Sequence, residues 1–196
     1  MFYAIYVKRV LDLVFLVVSA PLWIPLMLIL IIAVRLTSAG PVFFTQTRVG
    51  KGCRHFTIYK FRSMRIDAPK DMPTHLLENP DSFITPVGRF LRRSSLDELP
   101  QIINIIKGDI TIVGPRPALW NQDDLIEART KYGVNDITPG LTGWAQINGR
   151  DELPIEVKAK YDGEYLQRIG ILMDCQCFFM TIFKVFKSEG VKEGKH

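Results

Sequence analysis

Residues 13–34 read LVFLVVSAPLWIPLMLILIIAV, twenty-two positions without a charged side chain. At about 1.5 Å per residue a helix of this length runs roughly 33 Å, close to the hydrocarbon thickness of a bilayer. The run is too long for a signal-peptide core, and no convincing small-residue cleavage site follows it. The simple expectation is one spanning helix. Two features oppose it. Pro21 and Pro25 fall in the middle, where each removes a backbone donor and kinks a helix. Positive charge flanks both ends, Lys8 and Arg9 before and Arg35, Arg48, Lys51 and Arg54 after, which favours both ends on one membrane face. A helix that enters, breaks at Ala20-Pro21 and returns satisfies both, with arms of about 15 Å that reach half the core. Both paths stay open here, because neighbouring groups in a membrane can satisfy what a proline frees. Asp12, one turn from Lys8 and Arg9, is expected to pair with them at the interface.

The remaining chain, within a total of 196 residues, is long enough for one domain with its own core. A net charge of +5 fits nucleic acid, an anionic membrane surface or phosphorylated substrates. The apolar run selects the membrane over nucleic acid. Cys53, Cys175 and Cys177 lack disulfide or zinc spacing and read as free thiols of a reducing compartment. His55, His75 and His196 have no metal-ligand spacing. Residues 42–46 and 56–61 alternate as strands around Gly50-Lys51-Gly52, which predicts a hairpin. Residues 66–85 read as a loop. Helices are expected over 86–93, 99–107 (ended by Gly108), 119–132, 154–168 and 171–187. Residues 140–150 read as a Gly-rich loop. The aromatic stripe of the last helix (Phe178, Phe179, Ile182, Phe183, Phe186) fits either a core or a membrane-surface face. Residues 188–196 read as a frayed, charged tail.

Chemistry concentrates at Ser94-Ser95-Leu96-Asp97-Glu98-Leu99-Pro100-Gln101, with Arg89, Arg92 and Arg93 just before and Gly114-Pro115-Arg116-Pro117 after. Ser95 and Glu98 have capping-box spacing, so the two acids can simply start a helix. Pro100 is tolerated only in a first turn, which sets that start near Asp97. Acids one residue apart point to different sides and can hold different tasks, one on a metal and one attacking. A carboxylate facing a diphosphate meets repulsion, about 4 kcal/mol per charge pair at 4 Å near a protein surface. Attack therefore needs cations: Mg²⁺ on a carboxylate and phosphate oxygens, and arginine forks. Arg92 and Arg116 are nearest in sequence.

These residues, together with Lys8-Arg9-x-x-Asp12, Lys60-Phe61-Arg62-Ser63-Met64, Lys107-Gly108-Asp109, Pro139-Gly140-Leu141-Thr142-Gly143 and Asn148-Gly149-Arg150, resemble the bacterial sugar transferases, the monotopic phosphoglycosyl transferases. The resemblance runs from about Lys8 to about Lys187. It implies transfer of a sugar 1-phosphate from a UDP-sugar to polyprenyl (undecaprenyl) phosphate, with Mg²⁺ and release of UMP. It implies that Asp97 is a covalent nucleophile and that Glu98 ligates Mg²⁺. It implies a re-entrant helix broken at a Ser-Pro pair. Here the pair is Ala20-Pro21, so the break proline Pro21 remains while the serine hydroxyl is missing from that position. Arg92, Arg116 and backbone donors near Gly114 are then expected on phosphates, and Lys60, Arg62 and Arg150 on phosphate or nucleotide.

The expectation is a mainly helical α+β chain: a re-entrant membrane helix over 1–39, a catalytic domain over 40–187 with a small β-hairpin and interfacial amphipathic helices around a cytoplasmic-face site, and a tail over 188–196. The expected location is the bacterial inner membrane, with membrane lipids as partners and no nucleic acid. Two other functions compete: a non-catalytic binder of phosphorylated lipids, and a metal-dependent UDP-sugar hydrolase. The sugar, the oligomeric state and the roles of Tyr161, Asp162 and Tyr165 are not legible.

Overall fold

A computed structural model describes residues 3–69, 80–149 and 153–186. It is mainly helical, α+β. A π-helical turn (Tyr3–Val7) leads into α1 (Lys8–Thr37), followed by the antiparallel hairpin β1 (Phe43–Val49) and β2 (His55–Phe61). Then come α2 (Pro86–Arg93), a 3₁₀ turn (Leu96–Gln101), α3 (Ile102–Lys107), β3 (Thr111–Val113) and α4 (Asp123–Thr130). The strand β4 (Gly140–Thr142), α5 (Trp144–Ile147), α6 (Ile155–Gln167) and α7 (Ile171–Phe186) complete the described chain. Part of the expected loop (70–79), Arg150 and the tail over 188–196 lie outside the described residues.

α1 is helical from Lys8 to Thr37 with Pro21 and Pro25 inside it, and neither proline has an N–H to give the carbonyl four residues back. Side-chain donors reach two carbonyls in the stretch just before Pro21. The Ser19 hydroxyl, one residue before the expected position, lies 2.6 Å from Phe15 O and 3.4 Å from Leu16 O, and the Trp23 indole donates to Leu16 O at 2.9 Å. A serine hydroxyl bonding back one turn is a known companion of bent membrane helices.

One stripe of α1 faces the rest of the protein. Lys8, Asp12, Leu16, Leu30 and Val34 are buried, at spacings that keep them on a single helical face. Leu16 packs with Ile102, Ile105 and Ile110, whereas Leu30 and Val34 pack with Phe61 and Leu91. Both halves of the helix thus rest on one domain. Its other side is bare: Val17, Val18, Leu22 and Leu36 are 73% to 80% exposed.

The expected pairing of Asp12 with Lys8 and Arg9 is corrected: each reaches across to a different element. Asp12 accepts from the Thr111 hydroxyl and, at 3.4 Å, from Ile112 N–H. Lys8 binds Asp174 on α7. Arg9 donates to Ile105 O and Ile106 O at the end of α3, where a cation complements the helix dipole.

The hairpin runs in full register from Phe43↔Phe61 to Val49↔His55. Asn104, fully buried on α3, receives Tyr59 N–H at 3.0 Å and donates to Thr57 O at 2.7 Å, which fastens β2 to the helix after the acidic turn. The Gly-rich stretch over 140–150 is not only loop. It contains β4, paired in parallel with β3, and the short α5. Glycine is required in that pair: a Cβ on Gly140 would stand 2.0 Å from Gly114 N. The helix expected over 119–132 shortens to α4, and the one expected over 99–107 divides into the 3₁₀ turn and α3.

Candidate active site

The two acids sit in the 3₁₀ turn between α2 and α3, packed against β2. Thr85 caps α2, its hydroxyl accepting Gly88 N–H at 2.9 Å, and α2 ends at Arg93. Ser95 then takes a left-handed conformation (φ 57°) and makes no side-chain cap bond. The capping-box expectation fails for this reason. Glu98 is not turned back onto Ser95; it faces two cations from outside the turn. A non-glycine residue at positive φ is a small store of strain, of the kind held in place where geometry matters.

Glu98 receives Lys60 Nζ at 2.7 Å and Arg116 Nη2 at 2.8 Å on the same oxygen, with Arg116 Nη1 3.5 Å from the other. Lys60 comes from β2 and Arg116 from the loop after β3. Burial alone would push the Glu98 carboxyl up, but Arg116 and Lys60 outweigh it and hold the group well below the usual carboxylate range. Asp97 has the opposite balance. Burial pushes it up to about 6, against the pull of Lys60, Arg92 and Arg116, and the neighbouring charge of Glu98 adds to the rise. One acid is a fixed anion bound to cations. The other is a carboxylate left in their field, titrating just below neutrality. Carboxylates with opposed shifts in one site mark divided chemical roles.

Of the sequence-predicted residues, Asp97, Glu98, Lys60, Arg92 and Arg116 come together. Two do not act as expected. Arg62 is buried and donates to Ser38 O at 2.8 Å, Ser38 Oγ at 2.7 Å and Ala39 O at 2.6 Å, so it binds the end of α1 and not the acid pair. Gly114 N–H donates to Thr142 O at 2.7 Å, so this backbone donor is spent within the parallel strand pair and not offered to a phosphate. The loop that carries Arg116 is held elsewhere as well: Arg48 donates to Pro117 O at 3.2 Å, and Val49 N–H to Ala118 O at 2.9 Å.

Three residues that the sequence left unassigned have plain structural places. Asp162, fully buried, accepts Arg129 Nε at 2.8 Å and Nη2 at 2.6 Å, which joins α4 to α6. The Tyr165 hydroxyl lies 2.7 Å from Asp174 Oδ1 and 3.1 Å from Val113 O. Tyr161 is half-buried on α6. Asp174 itself was missed. Its signal was present, since an acid within the apolar run of 171–183 asks for a buried cation.

Comparisons with known proteins give the family. The family model described as "Bacterial sugar transferase" matches residues 3–188, and the chain belongs to that family. It is 40% identical over 172 residues to "Uncharacterized sugar transferase EpsL" of Bacillus subtilis, covering 87% of this chain and 83% of that one. It is 39% identical over 186 residues to the UDP-glucose:undecaprenyl-phosphate glucose-1-phosphate transferase of Escherichia coli, covering 91% of this chain and 40% of that protein. The enzyme of the same name from Xanthomonas campestris is 41% identical over 171 residues, with 84% and 35% covered. The chain thus spans well under half the length of these two enzymes.

Proposed function

We propose that this protein moves a sugar 1-phosphate from a UDP-sugar to a polyprenyl phosphate and releases UMP, through an acyl-phosphate formed on Asp97. One observation carries the reading. Glu98 is bound by Lys60 from β2 and Arg116 from the loop after β3, while Asp97 beside it stays ionisable within the same cationic field. The relatives named as UDP-glucose:undecaprenyl-phosphate glucose-1-phosphate transferases support the classes of donor and acceptor.

A diphosphate entering this field competes with Glu98 for Arg116 and Lys60. Arg116 offers a fork that fits two phosphate oxygens, and Lys60 a point charge. Arg92 adds positive charge on the Asp97 side. Asp97 attacks the sugar-proximal phosphorus. A bond from its carboxylate oxygen to phosphorus forms as the bridging P–O bond breaks, and UMP leaves with the electron pair. An oxygen of the polyprenyl phosphate then attacks the same phosphorus and displaces the carboxylate. The products are a polyprenyl diphosphosugar and a restored Asp97.

A divalent cation fits this donor set by chemistry. Among the described residues no group of three or more His, Cys, Asp or Glu could hold a metal. Magnesium held by one or two carboxylates, substrate phosphates and water needs no such group. Glu98 is the residue that would hold it, once the diphosphate draws Lys60 and Arg116 away. Bound there, it supplies neutralisation of the phosphate charge.

The membrane setting is part of the proposal. α1 is long and apolar enough to cross a bilayer, and most of its surface is exposed. Exposed apolar side chains continue on Phe90 of α2, Ile106 of α3, and Leu172 (84%), Phe179 (66%) and Phe183 of α7. Such a surface is too large to leave in water. The two halves of α1 rest on one domain, which supports a helix bent at its prolines that dips into one leaflet with both ends on one face, and we place the site at the cytoplasmic face of the inner membrane.

The test uses the protein in bilayer nanodiscs with UDP-glucose and Mg²⁺. Without acceptor, intact mass rises by one phosphosugar, and Asp97→Asn abolishes the adduct. With undecaprenyl phosphate, UMP release becomes catalytic. An adduct that persists in Asp97→Asn removes Asp97 from its role. Steady UMP release with free sugar phosphate and no acceptor establishes a hydrolase instead, and lipid binding without UMP release a non-catalytic binder.

A further inference from the structure

Of the two cations that grip Glu98, Lys60 stands on β2 and Arg116 three residues past the end of β3, and each of these strands is tied to a different end of α1. At the amino end, Asp12 accepts from Thr111 and Ile112, two of the three residues of β3. The third residue, Val113, has its carbonyl 3.1 Å from the Tyr165 hydroxyl. Tyr165 is joined to Asp174, and Asp174 to Lys8 of α1 and, at 2.7 Å, to the Tyr3 hydroxyl. β3 runs directly into Gly114-Pro115-Arg116. At the carboxyl end, Arg62 grips Ser38 and Ala39, the residues that follow α1. Arg62 lies two positions after Lys60, and Phe61 between them is buried against Leu30 and Val34 of α1.

We propose that α1 is a brace for the catalytic cations: its amino end fixes β3 and hence Arg116, its carboxyl end fixes β2 and hence Lys60, so the seating of the membrane helix sets how the two cations meet Glu98 and an incoming diphosphate. Tyr165, Asp174, Asp12, Thr111 and Arg62 are positioning residues in this scheme and touch no substrate. The two cations converge on one carboxylate oxygen at 2.7 and 2.8 Å, so a small shift of either strand breaks the arrangement. A misplacement of about 1 Å is enough to cost large factors in rate. The inference rests on the transferase reading above.

The experiment is a pair of double-mutant cycles in nanodiscs, scored by kcat/KM for UDP-glucose in the UMP-release assay. Tyr165→Phe removes one hydroxyl from the amino-end tie, and Arg62→Lys keeps the charge but loses the fork at the carboxyl-end tie. Each is expected to lower kcat/KM about tenfold in the wild-type background. Tyr165→Phe is expected to have less than about a twofold effect once Arg116→Lys is present, and Arg62→Lys likewise once Lys60→Arg is present, because the positioned group is already lost. A purely structural role gives the same penalty in every background, and that additivity overturns the proposal. So does a lowered unfolding midpoint with unchanged kcat/KM. Should Tyr165→Phe fail to fold, Thr111→Val is read in the same cycle against Arg116→Lys. A wild type that releases no UMP from UDP-glucose, UDP-galactose or their N-acetylamino counterparts overturns the transferase reading and this inference with it; a wild type active on any of them, with additive variants on that donor, overturns the inference alone.

Discussion

At Asp97, burial and charge oppose each other and burial prevails, leaving the acid half ionised near pH 6 in the free protein. In the proposed mechanism the attacking form is the carboxylate, so activity would follow its ionisation. The kcat/KM profile, which reports the free enzyme, is expected to rise with pH with a midpoint at about 6. A rise centred near the ordinary aspartate value, about 4, would detach the rate from this residue. The same shift makes a stability statement. The folded value lies above the unfolded one, so the ionised acid costs stability above the unfolded range and the cost fades as pH falls toward about 4. Asp97→Asn is therefore expected to unfold a few degrees higher than wild type at about pH 8, with the gap closing near about pH 4. Differential scanning fluorimetry across pH checks it; a lower midpoint for Asp97→Asn at high pH contradicts it. Glu98 behaves the other way. Its stabilisation by Arg116 and Lys60 is complete above the usual glutamate range and is lost only in strong acid.

At the scale of elements, the hairpin and helices α2, α6 and α7 were legible because each carries a full period of its pattern: alternation over 43–61, helical spacing over 86–93, 155–167 and 171–186. The parallel strands β3 and β4 were not. Three residues are too few to show a period, and their pairing partner lies near thirty positions away. The acid pair and the cations Lys60, Arg92 and Arg116 were visible as charge near charge. The assignments of Arg62 and of Gly114 N–H were not, since their partners, Ser38 and Thr142, are distant in sequence and carry no charge to announce them. α2 offers a direct test of element placement. A Cβ on Gly88 would stand 1.9 Å from Ser63 O, so Gly88→Ala must push α2, and Arg92 with it, off β2's end. It is expected to cost about 1–3 kcal/mol in stability and to lower adduct formation. An unchanged unfolding midpoint would show that the helix has slack the structure does not contain.

At the scale of the whole molecule, the proposed reaction brings a soluble donor and a lipid acceptor to one site, and its two half-reactions would place different demands on the surface. Phe179 and Phe183, one turn apart on α7, are exposed. Replacing both by Glu is expected to lower transfer to bilayer-embedded undecaprenyl phosphate about tenfold, because charge on an interfacial face is opposed by the apolar phase. Phosphosugar adduct formation from UDP-glucose is expected to persist. Equal loss of both half-reactions would show α7 to be a scaffold and not a docking face. The bond between Lys8 and Asp174 has a further consequence. These residues are 166 positions apart, so on the ribosome the opening helix reaches the lipid long before its counter-ion exists. Until α7 emerges, Lys8 has Asp12 nearby but no Asp174 to bind, and the nascent chain waits with this fastening still untied.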